Sequence, residues 1–231
     1  MQWGLFILWA LLTLGSVTAG VVTARKLGKE AFVGLYAGLT IVANIIAAKL
    51  IMIGNFVVPA AVLVYSSTYL LTDIIDEVYG RKLGHKTVLT GFVANVLGVL
   101  AIWLSVKWAP APFIPAEFQD AYTKVLGQAP RIVFASTISY LISQNHDVWA
   151  FHFWKEKTGG KYLWLRNNLS TMVSQLLDTV IFITLAFYGT VPLAILIGMI
   201  KGQYIAKVMI ALLDTPFCYL GVRLMKRERK E

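Results

Sequence analysis

Charge is what this 231-residue sequence has least of. Only 14% of its residues are Asp, Glu, Lys or Arg, against about 25% in a soluble domain. That excludes an ordinary water-facing surface over the whole chain. Cysteine occurs once, at Cys218; an intramolecular disulfide is excluded, and a cysteine-ligated metal or iron–sulfur centre has no ligand set. No GxxxxGK phosphate loop is present, and Gly159-Gly160-Lys161 lacks the upstream glycine such a loop requires. The chain therefore does not hydrolyse ATP by itself. The first apolar block has no Lys or Arg before Arg25 and runs for about 22 residues, too long and too poorly flanked for a cleaved leader, so it reads as a retained helix.

What is present in excess is apolar residues, 58% of the total. They come in blocks of roughly 20, the length that crosses about 30 Å of hydrocarbon at about 1.5 Å per residue. The blocks predict helices over residues 2–23, 31–53, 57–76, 87–108, 131–153, 167–188 and 191–221, the last kinked at Pro216. The expected fold is an all-α bundle of about seven transmembrane helices. It divides into a first helix with a basic loop (1–30), a core of six helices (31–222) and a basic tail (223–231). The longest connector, 109–130, carries Pro110, Pro112 and Pro115 and then a short helical pattern of Phe118, Tyr122, Val125 and Leu126, which predicts a helix lying at the membrane surface.

The net charge of +9 invites a nucleic-acid reading, but the basic residues cluster in short connectors. With the N-terminus outside, the inner connectors and tail hold fifteen Lys and Arg residues, from Arg25, Lys26 and Lys29 to Arg229 and Lys230, and the outer side holds three, Lys107, Lys124 and Arg131. The positive-inside rule thus predicts N-outside, C-inside and seven spans.

Ionisable residues inside apolar blocks cost about 2.5–3.5 kcal/mol each on insertion scales and persist only where they face a partner or water. Two blocks carry the same pattern, Ser139-x-x-x-Ser143-Gln144-x-x-Asp147 and Ser170-x-x-x-Ser174-Gln175-x-x-Asp178. Helix 57–76 has a looser copy around Asp73, and the last helix a fragment at Asp214. Ser136, Tyr140, Ser143 and Asp147 fall on one helical stripe, as do Asn167, Thr171, Ser174 and Asp178. Two such stripes satisfy each other only by turning inward around a shared polar cavity, and copies of one motif in opposite orientation are similar to the inverted repeats of transporters. Single Ser and Thr residues at such contacts usually serve only as interhelical glue; the Gln and Asp pairs are the stronger functional candidates. His146 and His152 do not have metal-ligand spacing, and neither a metal nor a cofactor is expected.

The strings TDIIDEVYG (72–80), ASTISYLISQNHDVWAFHFW (135–154), KYLWLRNNLSTMVSQLLDT (161–179) and QYIAKVMIALLDTPF (203–217) together resemble the queuosine precursor transporter (YhhQ, or VUT) family over residues 35–222. The resemblance implies import of a 7-deazaguanine, in its 7-cyano or 7-aminomethyl form, across a prokaryotic plasma membrane. It also implies functional roles for Asp73, Gln144, Asp147, Asp178 and Lys207, and for Gln175, where some members carry Asn. A deazaguanine offers donors at N1–H and the 2-amino group and an acceptor at O6. Asp147 or Asp178 suits the donors, Gln144 and Gln175 suit O6 and the ring edge, and Lys207 suits a neutralising role. Asn44, Lys49 and Asp73 complete the expected wall, with Tyr69, Tyr140 or Trp149 stacking on the base. The expected partners are that base and the bilayer, with no nucleic acid. Open at this level are a homo-oligomer, energy-coupling-factor partners that would make the chain a substrate-capture subunit, and proton coupling. An intramembrane enzyme lacks a recognisable nucleophile–base pair here.

Overall fold

The computed structural model describes residues 2–46, 49–53, 56–127, 130–189 and 191–226. Among these the chain forms α1 (Gln2–Leu27), α2 (Lys29–Ile46), β1 (Leu50–Ile53), β2 (Phe56–Pro59), α3 (Val62–Tyr79), α4 (Arg81–Lys107), α5 (Ala116–Leu126), α6 (Pro130–Lys157), α7 (Leu163–Phe187) and α8 (Leu193–Lys226). The protein is thus helical throughout, one small hairpin excepted. Five of the helices, α1, α2, α4, α7 and α8, are long and apolar enough to cross a membrane. Large apolar side chains such as Leu5, Leu97, Trp103 and Ile195 are exposed, whereas Asp73, Asp147 and Gln144 are wholly buried. This inverts the distribution of a water-soluble protein.

The centre of the bundle is α3. It packs against α1, α2, α4, α6, α7 and α8, and every residue from Ser66 to Asp76 is buried. Its polar residues are therefore surrounded by protein. Gly80 ends it with φ 85°, a left-handed value that glycine adopts at no steric cost, and α4 starts at the next residue. Helix α4 crosses closely at Gly91. A β-carbon there would meet the Tyr140 hydroxyl at 2.5 Å and the Tyr36 ring at 2.6 Å.

The expected boundaries shift where local chemistry competes with hydropathy. The second predicted helix stops at Ile46 rather than 53, and the third begins at Val62 rather than 57. Between them Leu50–Ile53 pairs antiparallel with Phe56–Pro59, Ile53 opposite Phe56 and Leu50 opposite Pro59. Ile and Val favour extended backbone, and Pro59 cannot donate within a helix. The last predicted helix is one continuous element that passes through Pro216 and ends at Lys226. The short helix expected in 109–130 is α5, its Phe118 and Val125 exposed and its Tyr122 hydroxyl 2.9 Å from Ser105 Oγ on α4.

Candidate functional site

The polar stripes of α6 and α7 meet along their length. Ser143 Oγ donates to Asp178 Oδ1 at 3.2 Å, and His146 Nδ1 lies 2.9 Å from Ser174 Oγ. The hydroxyls of Ser174, Ser170 and Thr171 face Asp147. The pairing order, with 143 opposite 178 and 146 opposite 174, makes the two helices antiparallel. Helices α7 and α8 pair in the same sense: Asn167 Nδ2 donates to Asp214 Oδ1 at 3.0 Å, and Lys207 Nζ donates to Asp178 Oδ2 at 2.5 Å.

Asp178 is the most heavily used side chain of this seam. Besides Lys207 and Ser143 it accepts from Tyr65 Oη at 2.9 Å. Tyr69 Oη donates to Ser143 Oγ at 2.9 Å, adding a second phenol behind the first. Lys207 is 1% exposed, and its ammonium also stands 5.3 Å from the centre of the Tyr65 ring, a cation–π distance. A buried ion pair needs further hydrogen bonds to offset its desolvation, and the two hydroxyls supply them on the Asp178 side. Beside the pair opens a cavity of about 70 Å³, lined by Asn44, Tyr65, Ser136, Ser139, Phe182 and Gln203 among others. It lies toward the end of the bundle that holds the β-hairpin and the starts of α3, α6 and α8.

Of the residues singled out from the sequence, Asn44, Ser136, Ser139, Asp178 and Lys207 line this cavity. Asn44 is bonded to Asn95 of α4. Tyr69 is not in the cavity lining but packs edge-on against Tyr65, their ring centres 6.0 Å apart. Gln144 Nε2 donates to Thr68 Oγ1 at 2.9 Å, while Gln144 Oε1 and both amide atoms of Gln175 are buried without a protein partner. Tyr140 is buried with its hydroxyl on the Val88 carbonyl at 3.2 Å. Asp73 and Asp147 lie farther along the seam, in a separate group with Asp214. Lys49 is exposed beside the hairpin and outside the cavity wall. Trp149 is 47% exposed and stacks on Phe153 instead.

Tyr65 and Gln203 were not anticipated. Each precedes an anticipated residue, Tyr69 or Lys207, by four positions and so shares its helix face; that spacing was the available signal.

At the opposite, basic end of the bundle Glu77 gathers three cations, Arg166 at 2.6 Å, Lys155 at 3.0 Å and Lys226 at 2.5 Å. Arg166 also donates to the carbonyls of Gly160 at 3.1 Å and Lys161 at 2.9 Å. One carboxylate thereby ties α3, α6, α7 and α8 together where the cavity does not open.

With this geometry in place, comparison with known proteins is decisive on family. Residues 59–221 match the family described as "Putative vitamin uptake transporter". The chain belongs to that family. The matched stretch contains α3, α4, α6 and α7 and most of α8, hence Asp178, Lys207 and Glu77 alike. A "Probable queuosine precursor transporter" of Bacillus subtilis (strain 168) is 27% identical over 209 residues, covering 89% of this chain and 88% of the relative. No solved structure matches. Family membership and the five apolar helices together make this a multi-pass membrane protein of the transporter class.

Proposed function

We propose that the chain imports a 7-deazaguanine precursor of queuosine across a prokaryotic plasma membrane, working as a secondary transporter. In this reading α3 and α6 also span the bilayer, giving seven spans with the N-terminus outside. The hairpin end then faces outward and the basic end faces the cytoplasm, as the distribution of Lys and Arg favours. The antiparallel α6 and α7 motifs form an internal repeat. Residues 31–222 act as the transporter core.

The observation that carries the reading is the Asp178–Lys207 pair at the cavity wall. Side by side, a carboxylate and an ammonium present acceptors next to a donor. That pattern complements the N1–H, 2-amino and O6 edge of a guanine-like base. Tyr65 offers an aromatic face beside it, and Asn44 and Gln203 offer amides. The name of the Bacillus subtilis relative supports the same substrate class.

Titrating the purified protein with 7-cyano-7-deazaguanine, its 7-aminomethyl form and guanine tests this. Asp178→Asn is expected to weaken the preferred ligand roughly 30- to 100-fold, equivalent to about 2–3 kcal/mol for hydrogen bonds to a charged group. A Kd unchanged by that substitution, or no binding of any of the three, contradicts the reading.

A further inference from the structure

Toward the basic end from the Asp178–Lys207 pair, three more carboxylates stand inside the bundle: Asp73 on α3, Asp147 on α6 and Asp214 on α8. They are 0%, 0% and 1% exposed, and each is exposed to the charge of at least one other. Among the described residues no Lys, Arg or His forms a salt bridge with any of them. Their donors are few. Thr171 Oγ1 reaches Asp73 Oδ2 at 3.4 Å, and Asn167 Nδ2 reaches Asp214 Oδ1 at 3.0 Å. Two of the hydroxyls beside Asp147 donate elsewhere, Ser170 to the Asn167 carbonyl and Ser174 to the Ser170 carbonyl. Asp73 Oδ1, both oxygens of Asp147 and Asp214 Oδ2 have no donor. Asn167, also wholly buried and turned toward Asp214, has an unpartnered Oδ1.

Every unmatched atom in this group is an acceptor, so the missing species is a donor. The other titratable groups that bear on it are Asp76 and Tyr69 on α3, Tyr36 on α2 and the neutral Cys218 thiol on α8. On α6, His146 turns to Ser174; on α7, Arg166 is held by Glu77 and Asp178 by Lys207. Three negative charges without a cation are prohibitively costly in such surroundings. A metal ion would need its ligands to converge, and among the described residues no three His, Cys, Asp or Glu side chains do. A proton needs no such convergence. Bound to one carboxylate oxygen, it removes a charge and supplies an O–H donor to a neighbouring acceptor.

We propose that Asp73, Asp147 and Asp214 form a proton-binding site that couples transport to a proton gradient, distinct from the cavity at Asp178 and Lys207. The inference rests on the transporter reading above. One proton from outer water forms an O–H bond within the cluster, and that bond breaks when the proton leaves to inner water, so one positive charge crosses per cycle. The link to substrate is mechanical. Lys207 and Asp214 stand two turns apart on α8, and Asp178 and Thr171 two turns apart on α7. A shift of α8 along α7 that frees Asp178 for substrate also draws Asp214 from Asn167.

Two measurements on the full chain in liposomes test it. Infrared spectra of the ligand-free protein should show the carbonyl stretch of a protonated carboxyl that Asp214→Asn diminishes; absence of that band overturns the proposal without reference to any substrate. Uptake of labelled 7-cyano-7-deazaguanine, with the membrane potential clamped at zero, should respond to an acid exterior. A gradient of one pH unit supports up to about ten-fold accumulation at one proton per substrate, which a protonophore should abolish and Asp214→Asn should reduce to equilibration. Uptake indifferent to the gradient, or full accumulation by Asp214→Asn, overturns the coupling while leaving the substrate reading intact. A normal infrared band with no binding of any deazapurine overturns the substrate reading and leaves the proton site standing.

Discussion

Asp178 and Glu77 show how differently two acidic side chains of one bundle are used. Glu77 is held by three cations at the basic end, and Arg166, 1% exposed, depends on it. Removing one partner of a buried pair leaves the other charge uncompensated at a cost of about 3–5 kcal/mol. Glu77→Gln is therefore expected to lower the melting temperature of the detergent-purified protein markedly, whereas Lys226→Gln, whose side chain is half exposed, should change it little. Equal melting curves for Glu77→Gln and the parent chain would remove this structural role. Asp178 instead has a single cation, two hydroxyl donors and a cavity beside it, an arrangement that a ligand edge can enter. Asp178 was visible in the sequence as a charge inside an apolar block, whereas Glu77 falls just past the predicted helix 57–76 and was not singled out. Of the partners of Asp178, Ser143 lay on the stripe expected to face it and Lys207 was expected to neutralise a carboxylate, whereas Tyr65 went unnoticed because it reaches Asp178 from a third helix.

At the scale of elements, hydropathy reads what faces lipid, and that sets the limit of sequence reading here. Helices α1, α2, α4, α7 and α8 are recognisable because their outer faces are apolar. Helix α3 carries Asp73, Asp76 and Glu77 within 18 residues and is hidden from lipid by its neighbours. Its existence was legible from its apolar stretches and its motif; its central position was not. The β-hairpin was missed because a run of Ile, Met and Val is equally apolar as strand or helix; α4 and α7 begin before their predicted starts and α6 runs past its predicted end, because basic residues continue a helix as readily as they end it. Close helix contacts were likewise silent. Gly91 lets α4 approach Tyr36 of α2 and Tyr140 of α6, so Gly91→Val should force these helices apart. Overpacking of this kind costs about 1–3 kcal/mol, and a thermal unfolding assay should show the loss. The same substitution at Gly34, which has open space around it, should be tolerated; equal effects at both sites would count against the packing described.

For the whole molecule, the proposed orientation places the cavity toward the outside and the Glu77 cluster, which ties four helices together, at the cytoplasmic end. Because Cys218 is buried and is the chain's single cysteine, a Cys218→Ser background allows sidedness to be read directly. A membrane-impermeant maleimide on intact cells should label Lys49→Cys and Glu117→Cys, and should reach Lys157→Cys only after permeabilisation. Labelling of all three in intact cells would contradict the seven-span arrangement. The account as a whole depends on a flat base being recognised by Asp178 and Lys207 in a protein that works alone. The most direct test is uptake of labelled 7-cyano-7-deazaguanine or its 7-aminomethyl form into liposomes containing only this chain. The account predicts saturable uptake that Asp178→Asn abolishes without preventing insertion and folding; no uptake until ATPase partners are added, or undiminished uptake by Asp178→Asn, would contradict it.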